Sequence, residues 1–128
     1  MVIKTVKSCY LVKAVSVDEN DSVIDVAKKI HHFQERRVYV LNSKKFPIGI
    51  ISVVDINDRV VAQGKDLKKT KAKDIMSFPL EIIADVNDSI KEIFGKMVQR
   101  DNFYVPVIEN NALKGILTYA SAVKELKN

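Results

Sequence analysis

Apolar positions along the chain switch twice between a helical and a strand-like period. Val23, Val26, Ala27 and Ile30 form one stripe at helical spacing, and Ile90, Ile93, Phe94 and Met97 form a second. Ser22 and Ser89 stand just before these stripes with an acid three residues on, Asp25 or Glu92, which is the spacing of a capping box. Asp21 and Asp88 add negative charge at the positive end of each helix. After each helix a β-rich run, "RVYVL" at 37–41 or "FYVPVI" at 103–108, leads through a polar turn into a second run, "FPIGIIS" at 46–52 or "LKGILT" at 113–118. That order predicts strand, turn, strand. A further strand is expected before each helix, near 11–17 and 80–84. A closing helix is expected after each hairpin, one from Asp55 to near Gly64 and the other at "SAVKELK", 121–127.

Each half therefore reads β-α-β-β-α, and the halves match residue by residue. "NDSVIDVAKKI" at 20–30 lies against "NDSIKEIFGKM" at 87–97, and Val38 and Val40 fall on Val105 and Val107 in the same register. Gly49 falls on Gly115 one residue sooner, which places a deletion in the turn of the second copy. Neither copy is long enough to bury its own helices and sheet. The two are expected to pack together about a pseudo-twofold axis with a cleft along the seam. The boundaries expected are 1–64 for the first repeat, 65–73 for a lysine-rich linker and 74–128 for the second repeat. The linker, "KDLKKTKAK", sets five lysines against Asp66 and reads as a solvated connection. Clustered lysines also suit nucleic-acid phosphates, whose counterions they release.

Composition narrows the function classes. The chain has 128 residues, 47% hydrophobic and 29% charged, with 4 Gly and 3 Pro, so one folded unit without long disorder is expected. No apolar run approaches the roughly 18 residues that span a bilayer, and lysines interrupt the N-terminus before a signal core forms, which predicts a cytoplasmic protein. Cys9 is the only cysteine, which excludes an internal disulfide or cysteine metal cluster, and it reads as a small, partly buried hydrophobe. His31 and His32, the only histidines, are adjacent on a helix and point about 100° apart, so they do not share a metal. Neither a phosphate-binding GxxxxGK[ST] loop nor a GxGxxG fingerprint is present, and no nucleophile, base and acid set follows from spacing. A non-enzymatic protein with no required cofactor is the expectation. The net charge of +5 favours anionic partners without naming one.

Four features then occur in order: "AKDIMS" at 72–77, the capped helix, "FYVPVIE" at 103–109, and a Gly-aliphatic-aliphatic-Ser/Thr-x-x-Asp element, "GIISVVD" at 49–55 and "GILTYAS" at 115–121. Together they resemble a tandem pair of cystathionine-β-synthase (CBS) domains, also called a Bateman module, from about Val6 to Leu126. The fold this implies is α/β (α+β): two β-α-β-β-α repeats with pseudo-twofold symmetry, sheets in contact and helices outside. The chain departs from the family pattern at Tyr39, where proline is common, and at 5–12, where "TVKSCYLV" is a poor version of the later "AKDIMSFP". It departs again at Ser121, which replaces the aspartate.

Family members commonly use that aspartate to hold ribose hydroxyls. A carboxylate accepts from two vicinal hydroxyls at once and a serine makes one weaker contact, so Asp55 and Ser121 predict unequal sites. The resemblance implies a first site of Ile50, Ser52, Asp55, Phe78, Ile83, Asn102, Phe103 and Tyr104. It implies a second, weaker site of Leu11, Ser16, Arg36, Arg37, Ile116, Thr118 and Ser121, with the arginines toward ligand phosphates. Asp55 also suits a plain helix N-cap. The resemblance implies an adenosine ligand (AMP, ADP, ATP or S-adenosylmethionine) in the interrepeat cleft, a homodimer through the helices, and regulation of a separate partner protein. Alternative readings are a nucleic-acid-binding protein using the basic surface and a CBS interaction module with no ligand.

Overall fold

The computed structural model describes residues 3–128. The chain forms two compact units. A central unit comprises Val15–Glu81, and a terminal unit comprises the N-terminal segment through Ala14 together with Ile82–Asn128. Compact units and sequence repeats are thus different divisions of the chain.

The central unit contains β1 (Ser16–Asp18), α1 (Val23–Phe33), β2 (Arg37–Leu41), β3 (Pro47–Ser52), α2 (Val53–Ile56), a π-helical turn (Asn57–Val61) and α3 (Ala72–Ile75). The terminal unit contains a 3₁₀ turn (Val6–Ser8), β4 (Ala84–Asp85), α4 (Ile90–Gln99), β5 (Tyr104–Glu109), β6 (Ala112–Thr118) and α5 (Tyr119–Leu126). Each has one three-stranded sheet, ordered β1-β2-β3 or β4-β5-β6. The first pair in each is parallel and the second antiparallel. A parallel pair needs a long crossover, supplied here by α1 and α4, and an antiparallel pair needs only a turn.

The serine half of each expected capping box is formed. Ser22 Oγ accepts from the Asp25 amide at 3.2 Å and Ser89 Oγ from the Glu92 amide at 3.4 Å. Asp21 and Asp88 do something more local, accepting from the Asp18 and Asp85 amides at 2.9 and 2.8 Å to close the same tight turn twice. Val23, Val26 and Ile30 are buried against Val38, Val40 and Ile51 in one core, and Ile90, Ile93 and Met97 against Val105, Val107 and Leu117 in the other. Cys9 belongs to the latter core, and burial, with a smaller contribution from Glu125, pushes its thiol pKa up.

The turn deletion is visible as a change of hairpin. β5 and β6 are joined by Asn110 and Asn111, both at positive φ (53° and 63°), the pattern of a type I′ turn, whereas residues 42–46 join β2 to β3 with Lys45 at φ 68°. Past the turns the registers agree: Val40 faces Gly49 and Val107 faces Gly115.

Two expectations need correction, and a third segment gains detail. The strand expected at 11–17 is divided, because Val12 pairs with Ile116 in the terminal unit and only Ser16–Asp18 pair with β2; likewise β4 is confined to Ala84–Asp85, within the expected 80–84 run by one residue only. The closing helices start earlier than expected, at Val53 and Tyr119, since the hydroxyls of Ser52 and Thr118 are their N-caps. Residues 65–73 are an ordered strap. The Leu67 and Thr70 carbonyls accept the Ile24 and Val23 amides at 3.0 and 2.9 Å, first-turn donors that have no partner inside α1. The Ala72 and Lys73 amides in turn donate to the Asp21 and Glu19 carbonyls at 2.8 and 3.0 Å.

The N-terminal segment does the same for α4 despite its different side chains. The Ile90 amide donates to the Lys4 carbonyl at 3.0 Å, and the Val6 and Lys7 amides donate to the Asp88 and Val86 carbonyls, both at 2.9 Å. Backbone geometry is repeated here where the sequence repeat is weakest.

Tyr39 fills the β2 position where the second copy has Pro106. It is 3% exposed, and burial, opposed in part by the Arg37 charge, pushes its phenol pKa up to about 12. The folded state therefore keeps a proton that the unfolded state releases near pH 10, so stability contributed by the neutral phenol falls between about pH 10 and pH 12. Spectroscopic titration should show one tyrosine ionising in the upper part of that window. The variant Tyr39→Phe should lose less stability than wild type over the same range.

Candidate functional site

In the central unit, β3 delivers Ser52 to the point where strand becomes helix. Ser52 lies opposite Arg37 and Ile50 opposite Tyr39, whose other neighbour is Ser16. The Arg36 carbonyl accepts the Val53 amide at 3.0 Å. On its outer edge β3 takes a two-way bridge from the segment after α3: Ile50 N to Ser77 O at 3.1 Å and Ser77 N to Ile50 O at 2.8 Å. Phe78 follows directly and is 68% exposed. Ser16, Arg36, Arg37, Ile50, Ser52, Asp55 and Phe78 are thus gathered in one unit.

Asp55 is the third residue of the helix rather than its N-cap. Ser52 Oγ accepts from the Asp55 amide at 3.1 Å, and Asp55 Oδ2 accepts from the Ser52 amide at 2.8 Å, a complete capping box. The other carboxylate oxygen faces Arg59 Nη2 at 3.7 Å. The side chain is 16% exposed, so the carboxylate is held in place and still reachable.

Leu11, Ile83, Asn102, Phe103, Tyr104, Ile116, Thr118 and Ser121 are in the terminal unit. Tyr104 pairs with Thr118, and Val12 bridges Ile116 in both directions at 2.8 Å. Thr118 Oγ1 accepts from the Ser121 amide at 3.1 Å, as Ser52 does from Asp55. Ser121 then departs from the pattern, because its hydroxyl donates to the Tyr10 carbonyl at 2.7 Å. Phe103 joins an aromatic cluster, with Tyr119 5.5 Å from it and 5.1 Å from Phe94. The two expected residue sets are each divided between the units: Ile50, Ser52, Asp55 and Phe78 are central, and Ile83, Asn102, Phe103 and Tyr104 terminal. In the second set Ser16, Arg36 and Arg37 are central, and the rest terminal.

A cavity of about 240 Å³ opens at the other end of the central sheet, lined by Ser16, Asp18, Asp21, Lys29, Leu41 and Lys45 among others. Three of its polar side chains are committed locally, Lys29 to the Ser16 carbonyl and both carboxylates to backbone amides. The geometry at Asp55 is the stronger chemical site. Among the described residues, no three His, Cys, Asp or Glu side chains gather as metal ligands would. No helix among them is long and apolar enough to cross a membrane.

Comparison with known proteins agrees with this architecture. The CBS domain family matches twice, over residues 6–62 and 72–128, and the chain belongs to that family. An uncharacterised protein of Methanopyrus kandleri is 32% identical over 102 residues, covering 77% of this chain and 50% of that protein. The Arabidopsis thaliana CBS domain-containing protein CBSCBSPB2 is 30% identical over 115 residues, covering 89% of this chain and 21% of that protein. The chain thus spans half or less of the length of these relatives. A CBS domain pair/ACT domain protein from Thermotoga maritima has the same fold at TM-score 0.72 and 18% identity, covering 96% of each chain. A tandem CBS pair is an architecture of regulatory and sensor proteins, generally regulatory rather than catalytic.

Both bridges run past a glycine. A Cβ on Gly115 would lie 3.0 Å from the Val12 carbonyl oxygen and 3.1 Å from Leu11 Cβ, and one on Gly49 would lie 2.5 Å from Met76 Sδ and 3.0 Å from the Ser77 carbonyl oxygen. Each Cβ would press on a carbonyl held in a two-way bridge, which has little room to shift. Gly115→Ala should therefore cost about 1–3 kcal/mol, read as a lower urea midpoint at unchanged slope.

Proposed function

We propose that this chain is a non-enzymatic cytoplasmic sensor that binds an adenosine compound (AMP, ADP, ATP or S-adenosylmethionine) at the Asp55 site. Ligand occupancy then changes its association with a second copy or with a regulated partner protein. The observation that carries this reading is the Asp55 carboxylate. One oxygen is fixed by the Ser52 amide and the side chain stays partly exposed, so the group is preorganised to accept from a vicinal diol. Ile50 beside it offers an apolar wall and Phe78 an exposed ring for a base. Ser121 has its hydroxyl committed to Tyr10 and no carboxylate to offer, which supports one strong site and not two. Regulation requires that the ligand favour one associated state over another.

Calorimetric titration with AMP, ATP and S-adenosylmethionine tests the proposal. Saturable binding near one ligand per chain is expected. Asp55→Asn retains an acceptor for the Ser52 amide and loses the charge, so it should melt within a few degrees of wild type. It should bind roughly tenfold or more weakly, since bonds to a charged group are worth about 1.5–3 kcal/mol. Absence of heat and of any melting shift with all three compounds would overturn the reading.

One observation favours a second reading, nucleic-acid binding: the strap holds Lys65, Lys68, Lys69, Lys71 and Lys73 exposed on a backbone pinned to α1. Such binding would weaken steeply with salt and be indifferent to adenosine compounds.

A further inference from the structure

Arg59 leaves the π-helical turn and makes two contacts at once. Its Nη1 donates to the Ile75 carbonyl at 2.8 Å, and its Nη2 stands 3.7 Å from Asp55 Oδ1. Ile75 lies two residues before Ser77, the residue that bridges Ile50 on the edge of β3. In the terminal unit the carbonyl two residues before the bridging Val12 belongs to Tyr10, and it is bound directly by Ser121. Both units therefore fasten the same carbonyl to the first turns of the helix after the hairpin. The terminal unit does so with one hydroxyl. The central unit does so with a guanidinium steadied by the carboxylate that stands in the place of that hydroxyl. Arg59 itself has no counterpart, since Glu125 occupies the corresponding helix position.

We infer that Arg59 is a positioning residue of the Asp55 site, a relay from the Asp55 carboxylate to the Ile75 carbonyl, so that occupying the carboxylate loosens the segment 75–77. The coupling to a ligand rests on the function proposed above, and the relay itself does not. A guanidinium suits the task because its fork reaches two acceptors in fixed geometry, whereas an ammonium is a single point. A vicinal diol on Asp55 Oδ1 takes the acceptor that Arg59 faces. The arginine then loses its close contact with that oxygen, and the Ile75 carbonyl loses a partner held in place. No such exchange is available at Ser121, whose contact involves no ion pair. The terminal latch is fixed and the central one is conditional.

Amide hydrogen exchange followed by NMR on the full chain tests this at the Ser77 amide, with the Val12 amide as internal control. Without ligand, Arg59→Ala should speed Ser77 exchange severalfold and leave Val12 unchanged, while Ser121→Ala should do the reverse. Asp55→Asn should speed Ser77 exchange, and adding it to Arg59→Ala should produce no further increase. Arg59→Lys should restore the rate only in part. Unchanged Ser77 exchange in Arg59→Ala, or additive effects in the double variant, would overturn the relay, with dispersed spectra confirming that each variant is folded.

Adenosine, which has no phosphate to attract the arginine, is the ligand probe. It should speed Ser77 exchange in wild type and bind severalfold more tightly to Arg59→Ala. Binding without change at Ser77 would overturn the coupling. If adenosine binds neither protein, the proposed ligand fails, and the ligand-free variants still decide the relay.

Discussion

The fold depends on backbone pairing between each sheet-and-helix layer and a segment that arrives from elsewhere in the chain. Residues 4–7 and 70–73 meet the orphan amides and neighbouring carbonyls at the start of α4 and α1, and Val12 and Ser77 then extend the hairpin edge. A helix N-terminus presents donors that its own turns leave unmet, and leaving a buried donor unmet costs about 1–3 kcal/mol. The hairpin edge poses the same problem for a strand. One incoming segment answers both, and Gly49 and Gly115 are the positions that let it approach. The capped turns, the parallel first strands and the cores of Val38, Val40 and Ile51 or Val105, Val107 and Leu117 are assembled around that pairing.

On this common frame the two copies have diverged at the first turns of the helix after the hairpin. The central unit spends a charged pair, Asp55 and Arg59, on a contact that the terminal unit makes with a hydroxyl. The terminal unit builds an aromatic cluster from Phe94, Phe103 and Tyr119. The corresponding central residues are Ala27, Arg36 and Val53. One copy has become more ionic there and the other more apolar. The missing carboxylate at 121 is therefore part of a local solution with its own hydrogen bond, and an acceptor placed there would face the Tyr10 carbonyl.

What could be read from the residues follows from how local each signal is. The stripes of α1 and α4, their serine caps and the hairpin runs were legible because periodicity and capping act within a few residues. The deletion was legible too, since Val40 and Gly49 fix the register on either side of it. The division of 11–17 between units was not, because the Val12 to Ile116 bridge is made by backbone groups that leave no mark on side-chain pattern. The backbone pairing of the strap was not legible for the same reason: five exposed lysines dominate its composition, while the contacts that fix it come from the carbonyls of Leu67 and Thr70. At the site, Ser52 and Asp55 stood out as a motif. The spacing from Asp55 to Arg59 was a visible helical pair, but its second partner is the Ile75 carbonyl, which any residue at that position would supply.

The exchange of segments also bears on how such a chain can be divided. The repeats follow one another in sequence, but the first residues of the chain, through Ala14, belong to the unit of the second repeat, and residues up to Glu81 belong to the unit of the first. Cut between the repeats, the polypeptide gives two fragments, each holding one sheet and the other's missing edge. Neither fragment contains a whole compact unit, so each lacks the backbone partners that the other carries. Continuity of the chain between the repeats is therefore part of what completes each edge.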